Sequence, residues 1–99
     1  MEKNIYYIEL FDIYGDLLTE KQREIFTSHY IFDLSLAEIA EPNGKTRQSV
    51  YDAIKGVCDK LIQYERALKV YEKNKKIEEI LGECKDENLC QKLNEIIGK

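Results

Sequence analysis

A chain of 99 residues is long enough to build one small hydrophobic core and too short for two that would each stand alone. Its 43% hydrophobic and 34% charged residues exclude a disordered tail or a low-complexity repeat, and a net charge of -4 argues against a protein that coats nucleic acid over its whole surface. No apolar run approaches the roughly 18 residues of a membrane span, and Met1-Glu2-Lys3-Asn4 begins no secretory leader, so the chain reads as cytoplasmic without membrane insertion.

Apolar residues recur at spacings of three and four and do not alternate at two, which predicts an all-α fold. Ile5, Ile8 and Phe11, with Tyr6, Tyr7, Leu10, Ile13 and Tyr14 thickening the apolar side, predict a first helix ending near Gly15, with Leu17 and Leu18 just beyond. Thr19-Glu20-Lys21-Gln22 has the spacing of a capping box, so a second helix starts there and carries Ile25, Phe26, Tyr30 and Ile31 toward Asp33. Ser35-Leu36-Ala37-Glu38 repeats that spacing for a third helix. This one is short, because Pro42 is expected to end it at Glu41 or to open its last turn, ahead of Asn43 and Gly44.

Thr46 is the next good cap, and no proline follows it, so the fourth helix is free to run as far as Asn74. Val50, Ile54, Val57, Leu61, Tyr64, Leu68 and Tyr71 keep one heptad-like apolar face, whose distal part, Leu61, Tyr64, Leu68 and Tyr71, is a packing or dimer seam. A helix from Thr46 to Tyr71 is roughly 39 Å long at 1.5 Å per residue, more than a compact unit of residues 1 to 45 covers, so its far half needs another partner. Ile77, Ile80, Leu81 and Cys84, then Leu89, Leu93, Ile96 and Ile97, form two short amphipathic segments separated near Lys85-Asp86. The expected division is a helix-turn-helix domain over residues 1–72, which includes the long helix, and a helical extension over 73–99. The extension packs on the long helix or across a dimer.

The charge is unevenly placed. Residues 1–44 carry 3 basic against 9 acidic side chains, residues 45–76 carry 9 against 4, and residues 77–99 carry 3 against 6. An anionic partner is therefore expected to meet the middle stretch, although a solvated lysine-rich helix face gives the same pattern. A short helix, a Gly-centred turn and a Thr-capped helix opening with Arg form the layout of a helix-turn-helix, whose second helix reads the major groove. On that template Ile39 and Ala40 face the next helix, Gly44 takes a positive φ, and Val50 and Ile54 pack inward. Thr46, Arg47, Gln48, Tyr51 and Asp52 then stand near the helix start, flanked by Lys45 and Lys55. Arg forks onto guanine, Gln onto adenine, and Lys reaches phosphate, while the plainer reading makes Thr46 a cap and Arg47 and Gln48 ordinary helix formers.

Three strings carry a family resemblance: Leu17-Leu18-Thr19-Glu20-Lys21-Gln22-Arg23-Glu24, Leu34-Ser35-Leu36-Ala37-Glu38-Ile39-Ala40-Glu41, and Arg47-Gln48-Ser49-Val50-Tyr51-Asp52-Ala53-Ile54-Lys55. Together with Phe11-Asp12-Ile13-Tyr14-Gly15 they resemble the YlxM family of small bacterial proteins over residues 5 to about 72, and more broadly region 4 of bacterial sigma factors. The turn departs from the family pattern at Pro42, Asn43 and Lys45. The resemblance implies an all-helical, dimeric cytosolic protein linked to the signal recognition particle pathway. It implies as partner DNA, the particle's RNA or its GTPase, and a nucleic-acid surface of Arg47, Gln48, Tyr51, Asp52 and Lys55. An interaction scaffold that contacts the GTPase or RNA without reading DNA sequence stays open beside it.

An enzyme is not expected. His29 is the single histidine, has no partner at a nucleophile or metal spacing, and reads as a helix-surface or helix-end residue. Glu78-Glu79 and Asp86-Glu87 are adjacent carboxylates that diverge on a helix, and Gly44 lacks the further glycines and Lys of a phosphate loop. Cys58, Cys84 and Cys90 have no Cys-x-x-Cys spacing, which argues against a disulfide framework or zinc clamp, and Cys58 and Cys90 read as small apolar fillers. No cofactor or metal is expected.

Overall fold

The computed structural model describes residues 5–98; the opening Met1–Asn4, on which the leader expectation rests, and Lys99 lie outside them. Among the described residues there are six α-helices and no strand: α1 (Ile5–Tyr14), α2 (Glu20–Phe26), α3 (Leu36–Ala40), α4 (Arg47–Leu68), α5 (Val70–Glu83) and α6 (Glu87–Ile96). Single 3₁₀ turns follow α1 at Gly15–Leu17 and α3 at Glu41–Asn43, and a π-turn over Thr27–Ile31 continues α2. The residues up to Leu68 form one compact unit and those from Lys69 a second.

The helix starts follow from their caps. Thr19 Oγ1 accepts the Gln22 amide at 3.2 Å while Gln22 Oε1 accepts the Thr19 amide at 2.9 Å, and Ser35 and Glu38 repeat the exchange at 3.1 and 3.0 Å. Each box satisfies two amides that a helix start otherwise leaves open. Hydrogen bonding to the Glu38 carboxylate, first from the Ser35 backbone amide and then from the Ser35 side chain, holds that carboxyl below its ordinary value.

In the first unit α1, α2 and α3 pack on α4. Leu10, Phe26, Val50, Ile54, Val57 and Leu61 are fully buried, and burial of such side chains contributes roughly 1.5–3 kcal/mol each. Aromatic rings extend this core: Phe11 stacks on Phe26 at 4.3 Å between centroids, Phe26 on Tyr30 at 4.6 Å, and Tyr7 meets Tyr30 edge-on at 6.1 Å. The Cys58 thiol faces the Tyr30 hydroxyl at 3.7 Å, and burial pushes both groups above their ordinary pKa values.

Five expectations are corrected here. The apolar stripe of α1 does not start at Ile5, which is exposed: Leu10 and Tyr14 are its buried residues, with Phe11 stacked on Phe26 beside them. α1 is apolar around most of its circumference, so periodicity alone could not select the inner side. His29 is buried rather than on the surface, because the π-turn inserts an extra residue per turn and rolls its ring inward. Its Nδ1–H donates to the Leu34 carbonyl at 2.9 Å, and Asp33 takes a left-handed φ of 63° to bring that carbonyl round. The fourth helix does not run to Asn74 but ends at Leu68, because Lys69 adopts a left-handed φ of 55°. The buried line of α4 leaves the heptad as well, passing through Ile54, Cys58, Leu61 and Glu65 instead of Tyr64 and Leu68. A straight helix drifts by about 20° per heptad, so residues eleven apart share a face better than residues fourteen apart. Glu65 enters the core with a partner, accepting the Tyr14 hydroxyl at 2.6 Å. Cys90, the last correction, is not a buried filler: it is half-exposed.

In the second unit α5 and α6 contain no buried residue, and their break falls at residues 84–86. Asp86 caps α6 through its side chain, accepting the amides of Asn88 and Leu89 at 3.1 and 3.2 Å. Among the described residues no helix is long and apolar enough to cross a membrane.

Candidate nucleic-acid interface

The interface is built outward from the turn between α3 and α4. Pro42 does not open the last turn of α3. It sits in the first positions of a 3₁₀ turn, where its missing amide costs least, and the helix tightens around it. The turn then closes in a Schellman pattern: the Gly44 amide donates to the Glu41 carbonyl at 3.2 Å and the Lys45 amide to the Ala40 carbonyl at 3.0 Å. Gly44 supplies the left-handed position at φ 64°, as the template required. Asn43 Nδ2 donates to the Ile39 carbonyl at 2.7 Å, so this departure from the family pattern serves the turn with a side-chain hydrogen bond.

Thr46 then starts α4. Its Oγ1 accepts the Ser49 amide at 3.0 Å, and its carbonyl accepts the Val50 amide at 3.1 Å and the Ser49 hydroxyl at 3.0 Å. The amides of Arg47 and Gln48 find no acceptor among the described residues, so two N–H groups point out of the positive end of a 22-residue helix. Val50 and Ile54 are buried beneath this end, and Ile39 and Ala40 meet them from α3.

That packing leaves the opposite side of the first two turns of α4 open. Lys45, Thr46, Arg47, Gln48, Asp52 and Lys55 are exposed, and Tyr51 is half-buried. Two of these side chains are tied along the helix: Gln48 Nε2 donates to Asp52 Oδ1 at 2.9 Å, and Lys55 Nζ pairs with Asp59 at 3.4 Å. Such exposed pairs are worth only about 0.3–0.5 kcal/mol, so an anion competes for the donors at little cost. Lys45 and Arg47 join no salt bridge among the described residues.

Lys21 is a residue the sequence reading missed. It lines, with Asn43 and Lys45, a recess of ≈ 330 Å³ floored by Ile25, Ile39 and Val50. The segment sums hid it, since Lys21 lies in the acidic first 44 residues; the capping box at Thr19 was the available signal, because it places Lys21 in the first turn of α2.

The seam residues are dispersed. Leu61 is buried, and Tyr64 is half-buried with its hydroxyl 3.4 Å from the Leu17 carbonyl and its ring 5.9 Å from that of Tyr14. Leu68 is exposed, whereas Tyr71 falls in the second unit, on α5, where Lys75 Nζ lies 5.4 Å from its ring centre. Among the described residues no three His, Cys, Asp or Glu side chains gather as metal ligands.

A family model described as "Putative helix-turn-helix protein, YlxM / p13 like" matches residues 1–98. A UPF0122 protein of Ureaplasma urealyticum serovar 10 is 46% identical over 94 residues, covering 95% of each chain. UPF0122 proteins of Clostridium kluyveri and Clostridium perfringens are 52% identical over 79 residues (80% of this chain, 71% of the relative) and 43% identical over 104 (100% and 93%). These matches agree with the geometry of α3, the Gly44 turn and α4, and the chain belongs to the UPF0122 family of YlxM/p13-like helix-turn-helix proteins.

Proposed function

We propose that this chain is a non-catalytic, nucleic-acid-binding regulatory protein of the cytoplasm, with the exposed start of α4 as its contact surface. The observation that carries the reading is the pairing of two open amides at the α4 N-terminus with Lys45, Arg47 and Lys55 on the solvent side of that helix. Amides and guanidinium suit phosphate oxygens and base edges, and Gln48 adds a donor and an acceptor for an adenine edge. Thr46, Tyr51 and Asp52 complete the surface, Thr46 as the cap and Tyr51 as a half-buried ring beside it. The family resemblance directs the search for a ligand to the signal recognition particle pathway, with its RNA or a DNA duplex as the nucleic acid.

A second reading, a scaffold that contacts the particle's GTPase or RNA without reading DNA sequence, draws on Asp52. Its carboxylate stands on the proposed face and repels a phosphate when Gln48 turns away. We also propose a homodimer. Leu68, Ile80, Leu89 and Ile96 are exposed, and α5 and α6 bury no residue, so the extension gains its core across a second copy.

Binding to signal recognition particle RNA and to a random DNA duplex, titrated with salt side by side, tests the function. The native protein is expected to bind one of them with a steep slope. The Arg47→Ala, Lys55→Ala variant is expected to bind more weakly, with a slope on DNA reduced by about 2, because each phosphate that a cation neutralises contributes ~0.9 to it. Binding of neither ligand above background overturns the reading in favour of the scaffold. Sedimentation equilibrium reads the dimer directly.

A further inference from the structure

The turn between α5 and α6 brings two thiols together. Cys84 follows the last residue of α5, and its amide donates to the Leu81 carbonyl at 3.1 Å. Cys90, in the second turn of α6, points its thiol at the same oxygen from 4.0 Å. The arrangement is reciprocal, since the Cys90 amide donates to the Asp86 carbonyl at 2.9 Å and the Cys84 thiol lies 3.5 Å from that oxygen. Each cysteine therefore shares a carbonyl with the other, which gathers the two thiols at one turn. Both are half-exposed and border one open recess with Glu87, Gln91, Asn94 and Glu95. The Asp86 cap fixes the turn that holds them. Cys58 is a contrast within the same chain, only 3% exposed and turned toward Tyr30 in the core of the first unit.

We propose that Cys84 and Cys90 are a dithiol modification site, which a hydroperoxide oxidises to an intramolecular disulfide joining the end of α5 to α6. Cys84 supplies the nucleophile, because it lies on the turn outside both helices, whereas Cys90 is held within α6, where the interaction with Cys84 and then burial push its thiol up. The Cys84 thiolate, its proton given to solvent, attacks the outer peroxide oxygen. An S–O bond forms, the O–O bond breaks, and the peroxide leaves as alkoxide or hydroxide, which takes up that proton. Cys84 is then a sulfenic acid, oxidised by two electrons. The Cys90 sulfur attacks it, the S–S bond forms, and the S–O bond breaks with hydroxide leaving as water on the proton from Cys90. Two thiols and one hydroperoxide thus give one disulfide, one alcohol (water, from hydrogen peroxide) and one water. In a reducing compartment such a pair is a sensor rather than a structural link, because low-molecular-weight thiols reopen it.

The test treats the dilute, fully reduced, full-length protein with one equivalent of hydrogen peroxide. The expected product is a monomer lighter by two hydrogens that has lost two of its three titratable thiols, with the link mapped by peptide mass spectrometry to Cys84 and Cys90. Cys58 stays reduced and alkylates only after unfolding. In the Cys90→Ser variant the reaction stops at a Cys84 sulfenic acid that dimedone captures, and in Cys84→Ser the dimedone adduct falls to the background level of Cys58. Helical circular dichroism, unchanged in both variants, excludes loss of the fold as the cause. A link involving Cys58, a disulfide between chains, or no loss of two hydrogens while dimedone labels Cys84 and Cys90 equally overturns the proposal.

Discussion

The most consequential single residues are polar ones inside the first unit. Glu65 is only 8% exposed and accepts the Tyr14 hydroxyl at 2.6 Å, a short bond of the charge-assisted kind. Tyr14→Phe keeps the ring and removes that donor, so the carboxylate loses stabilisation where water cannot replace it. The expected cost is about 1–3 kcal/mol, seen as a lower urea midpoint at unchanged slope; a shift under ~0.5 kcal/mol would mean that Glu65 does not depend on Tyr14. Tyr30 makes the opposite case, a neutral group that burial keeps neutral. Burial first, then the Cys58 thiol, raises its pKa above the ordinary 10.0. A raised pKa in the folded state means that the stability is complete below the unfolded value and is lost as pH rises through the folded one. Cys58 is also raised, from 9.0. Thermal stability is therefore expected to fall above about pH 9, and Tyr30→Phe to flatten the part of that fall above about pH 10. Equal slopes in the two proteins would remove Tyr30 from the account.

At the scale of the element, the turn before α4 is set by one backbone conformation. Gly44 sits at φ 64°, and nothing lies within 4 Å of a Cβ placed there. Gly44→Ala therefore meets no clash and carries only the conformational penalty of the left-handed region, about 1–2 kcal/mol. Circular dichroism melts of this variant should show that loss without a change in helix content, and a neutral result would mean that the turn has a second closed form. The features legible in the sequence were those tied to residue types at fixed offsets: the caps at Thr19, Ser35 and Thr46, the Gly44 turn, and the inward positions of Ile39, Ala40, Val50 and Ile54. What escaped had no such marker. Lys69 breaks α4 in the middle of an unbroken apolar heptad, without glycine or proline to announce it. His29 is buried by a π-turn, an insertion that no periodicity of 3.6 encodes, and Glu65 takes a core position that composition assigns to solvent. Cys84 and Cys90 meet only because a turn folds one helix end toward the other, so neither helical pattern links them.

The distribution of charge over the whole chain decides where a polyanion can act. The basic stretch from Lys45 to Lys76 spans the end of one unit and the start of the next, so the sum over sequence does not say which part is available. Local pairing does. On α5, Lys75 lies 3.6 Å from Glu78 and Lys76 lies 3.7 Å from Glu72, so a phosphate approaching either lysine also meets a carboxylate. Among the described residues Lys45 and Arg47 carry no such neighbour within salt-bridge distance, and the open amides at the start of α4 add positive potential beside them. Counterion release counts cations that touch phosphate, not cations in the sequence. Replacing Lys73, Lys75 and Lys76 together with Gln is therefore expected to reduce the salt slope on DNA by less than about 1, although it removes three charges. Lys45→Ala with Arg47→Ala removes two cations that pair with no carboxylate among the described residues and is expected to reduce it by about 2. The comparison is made on one duplex across one salt series, with monomer and dimer fractions matched by sedimentation. If the triple substitution flattens the slope more than the double one, the working surface lies on α5 in the second unit and not on α4.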